Sequence, residues 1–170
     1  MSTSTPYTIR DARPEDRAAA RTLTLTAYGR YAEIMAPEAW AGLEQAVRAA
    51  LTAEGPFEQF VAEQAGAIVG SVFLFPAGGD PAKAGGRMIW PELRLLAVDS
   101  AARGQGIGRA LIAACIERAR ANGAPALGLY SSASMREALA LYERFGFTRM
   151  PAYDFQPPGA ELIMAFAMEF

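Results

Sequence analysis

The chain has 170 residues, 52% of them hydrophobic and 20% charged, with a net charge of −2, one cysteine and no histidine. This composition suits one globular domain over residues 1–170; it excludes a disordered chain, and the lack of a basic or membrane-length apolar run argues against nucleic acid and membrane partners. Without histidine there is no Ser-His-Asp or Cys-His nucleophile and no histidine metal site, no acidic cluster suggests a metal, and the single Cys115 fits a reducing cytoplasm.

Residues 1–6 have neither a basic segment nor an apolar core, so no signal peptide is expected and the protein is expected in the cytoplasm. Tyr7 to Asp11 reads as a strand. Pro14 suits a first helical turn, with Glu15 and Asp16 at its positive end. That helix is expected to run to about Tyr28, where Tyr28-Gly29-Arg30-Tyr31 reads as an aromatic-rich break. Pro37 opens a second helix with a stripe of Trp40, Leu43, Val47 and Leu51, ended by Gly55-Pro56. Phe57 to Glu63 alternates and Ala67 to Phe75 is apolar and branched; with Gln64-Ala65-Gly66 between them they predict an antiparallel hairpin. Pro76 to Gly86 holds four glycines and two prolines, a loop that is either a tolerated insertion or a flap over a site.

The next stretch carries the chemistry. Leu93 to Val98, between Pro91 and Asp99, has the pattern of a buried strand. Ile107, Leu111, Ile112, Cys115, Ile116 and Ala119 then form one helical stripe, stopped by Asn122-Gly123. Cys115 on that stripe reads as core. Between strand and helix lie Gly104, Gly106 and Gly108, flanked by Arg103 and Arg109. Backbone N–H groups without side chains in the way, at the positive end of a helix, make a site for phosphate. Ala126 to Ser131 is a further strand, which completes a βαβ unit and predicts a parallel pair. Ser134-Met135-Arg136-Glu137 has the pattern of a capping box, opening a helix with Met135, Ala138, Leu139, Tyr142 and Phe145 on one face and Gly146 at its end. Thr148 to Phe155 and Leu162 to Met168 read as closing strands. The order is β-α-α-β-β-β-α-β-α-β-β, an α/β mixed sheet with helices on its faces.

Two common phosphate motifs do not fit. A Walker loop needs Gly-Lys-Ser/Thr, and Lys83, the only lysine, lies outside one. A dinucleotide fingerprint needs G-x-G-x-x-G; here Gly104-x-Gly106-x-Gly108 is one residue short, and no acid ends the strand at Ala126 to Ser131.

Arg103-x-x-Gly106-x-Gly108 after a strand, then an amphipathic helix and Leu141-Tyr142-Glu143-Arg144-Phe145-Gly146-Phe147, resembles the GNAT superfamily of acyl-CoA-dependent N-acetyltransferases. The resemblance covers Glu92 to Phe147, and the order of elements on both sides agrees with it. It implies the GNAT fold: a mostly antiparallel sheet whose fourth and fifth strands form a parallel, splayed pair, with helices on both faces. It implies acetyl-CoA as co-substrate and no metal. Arg103, Gly104, Gln105, Gly106, Ile107, Gly108 and Arg109 would cradle the pyrophosphate. Leu96, Ala97 and Val98 would hydrogen-bond the pantetheine arm in the splay, with Ser131 counted among the cofactor contacts. Tyr142 would be the general acid at the departing sulfur; from spacing alone it reads first as a core aromatic on a helical stripe. Glu92 would be the base, with Asp154 and Glu33 as fallbacks; the plain alternative is a strand-end carboxylate or a partner for Arg94. Tyr28, Tyr31 and Trp40 would lie in or beside the acceptor region, with Tyr153 a weaker candidate; the plain alternative for them is ordinary packing. Many GNAT proteins carry asparagine where this chain has Met135, which removes one polar cofactor contact. The implied reaction is acetyl transfer to a primary amine, on a small molecule or on a peptide or protein; the competing reading is an acyl-CoA-binding regulatory module without transferase activity. An isologous homodimer is the default assembly.

Overall fold

The computed structural model describes residues 6–78 and 88–170. Seven strands form one sheet in the order β1-β2-β3-β4-β5-β7-β6, with β1 Tyr7–Asp11, β2 Glu58–Gln64, β3 Ala67–Phe75, β4 Glu92–Val98, β5 Ala126–Ser131, β6 Thr148–Arg149 and β7 Met164–Glu169. Four α-helices accompany it: α1 Arg17–Gly29, α2 Pro37–Thr52, α3 Ile107–Ala121 and α4 Arg136–Phe145. All strand pairs are antiparallel except β4 with β5. The expected mixed sheet and element order are therefore present. Among the described residues no helix is long and apolar enough to cross a membrane, and no group of acidic or sulfur side chains could hold a metal.

The hairpin β2–β3 turns through Ala65 and Gly66, both at positive φ (50° and 79°), the pattern of a two-residue turn whose twist matches that of the sheet. The βαβ unit gives the core its centre. Ile107, Leu111, Ile112 and Cys115 of α3 are at most 1% exposed and pack with Phe60, Val72, Leu74, Leu127 and Leu129 of the sheet. Gly70 in β3 lets α3 approach: a Cβ there would stand 2.8 Å from Ile107 Cγ2 and 3.0 Å from Leu111 Cδ1. Burial pushes the Cys115 thiol up to about 12, in keeping with a core side chain.

Four local expectations are corrected. Tyr28-Gly29-Arg30-Tyr31 is no break: α1 runs through Gly29 and continues as a 3₁₀ turn, Arg30–Glu33, because Tyr31 is buried against Met35 and Ala39. Ser134 to Glu137 is not a capping box. The helix is capped from Met135 without a side-chain bond; the Ser134 hydroxyl donates to Glu161, and Glu137 pairs with Arg30 at 2.9 Å. Thr148 to Phe155 is not one strand, since Pro151 starts a 3₁₀ turn, Pro151–Tyr153, after two paired residues. Leu162 likewise precedes β7, which begins at Met164 after a lone bridge between Phe155 and Ile163. The flap considered at Gly78 to Gly86 lies, Gly78 apart, outside the described residues.

Candidate active site

The site forms where the parallel pair comes apart. β4 and β5 pair only at Glu92↔Gly128 and Leu93↔Leu129. Just beyond, β4 bulges against β3. Arg94 faces Phe73 and Ala97 faces Ser71, so Leu95 and Leu96 together span one residue of β3, and Leu95 takes φ 52°. A bulge bends its strand and re-aims the residues beyond it, and a non-glycine residue in the left-handed region is strained, as residues at functional sites often are. The result is a cleft on the β5 side of Leu96 to Val98, where alternate backbone groups of β4 have no strand to bond.

A cavity of about 1600 Å³ occupies this cleft and extends to both ends of it. At one end lies the glycine turn. Gly104 (φ 76°) and Gly106 (φ 83°) are both left-handed, and Gly106 is the residue immediately before α3. The Asp99 side chain accepts from the Ala101 N–H at 2.8 Å, which fixes the entry to the turn. Arg103 and Arg109 are exposed, border the cavity and form no ion pair among the described residues; Arg109 lies 5.9 Å over the Phe145 ring. Of the residues expected to hold cofactor, Leu96, Ala97, Val98, Arg103, Gly104, Gly106, Ile107, Gly108, Arg109 and Ser131 all line the cavity. Gln105 does not. Its side-chain oxygen accepts from Gln64 Nε2 at 2.8 Å and ties the turn to the β2–β3 hairpin.

In the middle is Tyr142, on α4. It is 6% exposed and packs edge-on against Phe147, with ring centroids 6.0 Å apart. Burial, chiefly, and the neighbouring Tyr31 and Cys115 raise its phenol well above the ordinary value, so it stays protonated at neutral pH. Tyr28 is similarly raised by burial and by the nearby Tyr142 and Tyr31. Tyr28 and Tyr31 line the cavity beside Tyr142, and Arg30 donates to the Tyr31 hydroxyl at 3.2 Å. Arg30 also bridges to Glu137, which joins the end of α1 to the start of α4 across this wall.

At the other end is Glu92. It is 2% exposed, lines the cavity and is held by Arg94 through Nε at 2.8 Å and Nη2 at 3.1 Å. Arg94 in turn lies 4.5 Å over the Phe75 ring. Asp154 borders the same region but is engaged on three sides: Arg149 donates to both its oxygens, at 2.7 and 2.6 Å, and the Ala165 N–H to one at 2.8 Å. Arg149 holds its carboxyl below the usual range. This arrangement suits a structural clamp better than a base. Glu33 is exposed and away from the cavity. Tyr153 is half-buried and also outside the cavity wall, its ring packed 5.8 Å from Trp90. Trp40 packs against the Tyr31 cluster and is not part of the wall.

Several lining residues lie outside the set of expected site residues. Arg144, in the last turn of α4, joins Arg103 and Arg109 at the cationic end without an ion pair among the described residues. Ser132 comes directly after β5. Its hydroxyl and that of Ser131 are buried without a hydrogen-bond partner among the described residues. Met135, Gln156 and Pro158 complete the wall from segments far apart in the chain.

Comparison with known proteins agrees with this geometry. Residues 56–149 match the model of the acetyltransferase (GNAT) domain. A probable N-acetyltransferase family 8 member 5 of Mus musculus is 38% identical over 106 residues, 62% of this chain and 44% of that protein. A mycothiol acetyltransferase of Thermomonospora curvata is 41% identical over 70 residues, 39% of this chain and 24% of that protein. The chain spans less than half the length of these curated relatives. The PaiA N-acetyltransferase of Thermoplasma acidophilum, solved in complex with coenzyme A, superposes with a TM-score of 0.68 at 16% identity, over 97% of this chain and 99% of its own, a likeness of fold. With the family model matched over more than half of its residues, and the splayed pair and glycine turn in place, the chain belongs to the GNAT acetyltransferase family.

Proposed function

We propose that this protein transfers an acetyl group from acetyl-CoA to a primary amine by direct attack of the amine on the thioester. The observation that carries the reading is the parting of β4 from β5 after two paired residues, with the glycine turn at one end of the cleft and Tyr142 buried against it. The residues present fit the donor. Arg103 and Arg109, without ion pairs among the described residues, and the left-handed Gly104 and Gly106 suit a pyrophosphate. The open edge of Leu96 to Val98 suits an arm of amides laid down like an added strand. Acetyl-CoA supplies an acyl group activated as a thioester; the protein supplies position and proton traffic.

A backbone N–H near Ala97 or Val98 would hold the oxygen of the reacting carbonyl as charge develops there. Tyr142, kept protonated by burial, would donate to the departing sulfur. Glu92 would accept the proton of the amine directly or through water; Arg94 fixes where its carboxylate points. Tyr28 and Tyr31 would border the acceptor, a small molecule or a peptide or protein amine.

A panel of primary amines assayed for free-thiol release from acetyl-CoA tests the reading. One or more amines should release thiol with the native chain and none with Gly106→Glu, whose carboxylate would stand in the phosphate turn. Tight binding of acetyl-CoA with no thiol release from any amine would instead favour a regulatory acyl-CoA module. Retained binding by Gly106→Glu would refute the turn assignment.

A further inference from the structure

Beside the main core lies a second, smaller apolar cluster. It centres on Tyr31, Met35 and Ala39, with Tyr28, Leu43 and Met135 packed round it and Trp40 behind. Satellite clusters of this kind ordinarily close off a small patch of surface under a loop. This one faces the cleft instead. Every member except Trp40 lines the cavity, and Tyr28, Leu43 and Met135 are only half-buried. Tyr28 and Tyr31 also stand next to Tyr142, so the cluster adjoins the proposed reacting centre.

One side of this wall is α2. Ala39, Leu43, Ala46 and Ala50 recur at helical spacing, and all four line the cavity. Three of the four are alanine, so the wall is apolar yet recessed. The other side is Met135, where the chain enters α4. Its flexible thioether adapts to irregular apolar shapes. The polar groups nearby are already engaged. Arg30 donates to the Tyr31 hydroxyl at 3.2 Å and pairs with Glu137 at 2.9 Å. Glu92 pairs with Arg94, and Asp154 with Arg149. Two carboxylates on the cavity wall have no cation among the described residues. Glu38 is exposed in the first turn of α2, where the positive end of the helix suits it, and Glu161 accepts from the Ser134 hydroxyl. Neither belongs to the cluster. A group laid against Leu43 and Met135 therefore gains by burying apolar surface and finds no charge there to pair with.

We propose that this cluster selects the acceptor, and that the acceptor is a primary amine with an apolar substituent, aliphatic or aromatic. The substituent lies against Leu43 and Met135 while the nitrogen reaches the thioester beside Tyr142. This assignment rests on the transferase reading above and names its substrate class. The acceptor is the occupant because the glycine turn and the open edge of β4 already place the donor, whereas the cluster continues the Tyr28 and Tyr31 side of the cleft. The substituent takes no part in forming the C–N bond or breaking the C–S bond, so the wall acts through binding.

The test is free-thiol release from acetyl-CoA by the full chain with a series of n-alkylamines. From ethylamine through butylamine to hexylamine, kcat/KM should rise by up to about four-fold per methylene, mainly through KM. Pentylamine and 1,4-diaminobutane are the same length and differ in a terminal methyl against an ammonium; pentylamine should be favoured by about ten-fold or more. In Leu43→Ala and Met135→Ala, the ratio of kcat/KM for hexylamine to that for ethylamine should fall by about five-fold. A ratio taken within one protein is independent of the fraction folded, so a merely structural loss would leave it unchanged. An unchanged ratio in both variants would overturn the proposal. So would a preference for 1,4-diaminobutane, which would assign Glu38 and Glu161 to a second cation on the acceptor. Faster transfer to ethylamine from hexanoyl-CoA than from acetyl-CoA would give the wall to the acyl chain and overturn it as well. Thiol release with no amine at all would remove the transferase reading and this proposal together; release with no dependence on chain length would remove this proposal alone.

Discussion

Gly106 and Gly108 lie two residues apart, on either side of the start of α3, yet alanine at each should move stability in opposite directions. Gly106 has φ 83° and ψ 6°, in the left-handed region. A side chain there costs about 1–2 kcal/mol from the clash of Cβ with its own backbone. Nothing outside adds to it, since the only neighbour of the new Cβ would be the Tyr7 hydroxyl oxygen at 3.5 Å. Gly108 lies within α3 at ordinary helical φ. Its Cβ would meet Leu141 Cδ2 at 3.4 Å and Val98 Cγ2 at 3.8 Å, ordinary contact distances. There alanine gains up to about 1 kcal/mol from helix propensity. For a chain of this size 1 kcal/mol is worth about 2–4 °C in melting temperature. Gly106→Ala should therefore melt about 2–8 °C below the native chain, and Gly108→Ala level with it or up to about 4 °C above. Thermal unfolding monitored by circular dichroism, checked by urea titration, reads both. Gly106→Ala melting at or above Gly108→Ala would refute the assignment of the left-handed strain to the residue that precedes the helix.

Tyr142→Phe should lower kcat by about 10²-fold or more while leaving coenzyme A affinity within two- to three-fold, because only the proton donor is lost; steady-state kinetics beside a binding titration would show this, and an unchanged kcat would remove the acid role. Glu92→Gln leaves Arg94 without its carboxylate in a site where both side chains are at most 10% exposed, and should destabilise by up to about 3–5 kcal/mol; a pH–rate profile of the folded variant identical to the native one would exclude Glu92 as base. Arg10 holds the Asp16 carboxyl down at about 2, from 3.8, with help from the Arg13 N–H. The folded value is depressed, so the stabilisation is present above about pH 4 and fades as pH falls towards 2. Asp16→Asn should accordingly melt lower at pH 7, with the difference narrowing through that window; a constant difference from pH 7 to 2 would rule out the linkage.

The proposed donor half of the site is legible in the sequence because its determinants are contiguous. A strand, three glycines at alternate positions and a helical stripe lie within Leu93 to Ala119, and each acts through local backbone geometry. Gly106 at positive φ, immediately before α3, is a consequence of that local pattern. Where contacts between distant residues decide, the sequence pattern misleads. Ser134 looks like a helix cap but bonds Glu161, 27 residues away, which leaves α4 without its expected box. Tyr28 to Tyr31 looks like a break, but the burial of Tyr31 with Met35 and Ala39 keeps the chain helical. Gln105 sits in the cradle motif, yet its side chain serves the hairpin through Gln64.

The wall proposed to receive the acceptor obeys the same logic with a different result. It is contributed by the end of α1, the face of α2 from Glu38 to Ala50, the start of β4, the end of β5 and the Asp154 to Ile163 segment. These pieces are scattered along the chain, and no single one of them carries a recognisable pattern. Some of their side chains have structural work as well: Asp154 clamps Arg149 and the Ala165 N–H, Glu161 takes the Ser134 hydroxyl, and Arg30 joins Glu137. A substitution in this wall therefore changes both the shape offered to an acceptor and the bonds that hold α4, and with it Tyr142, against the cleft. The glycine turn instead depends mainly on backbone geometry within one βαβ unit and shares none of these bonds. On the proposed reading, that separation lets one domain keep its acyl donor while its acceptor varies, which is why the donor has a contiguous motif in the sequence and the acceptor has none.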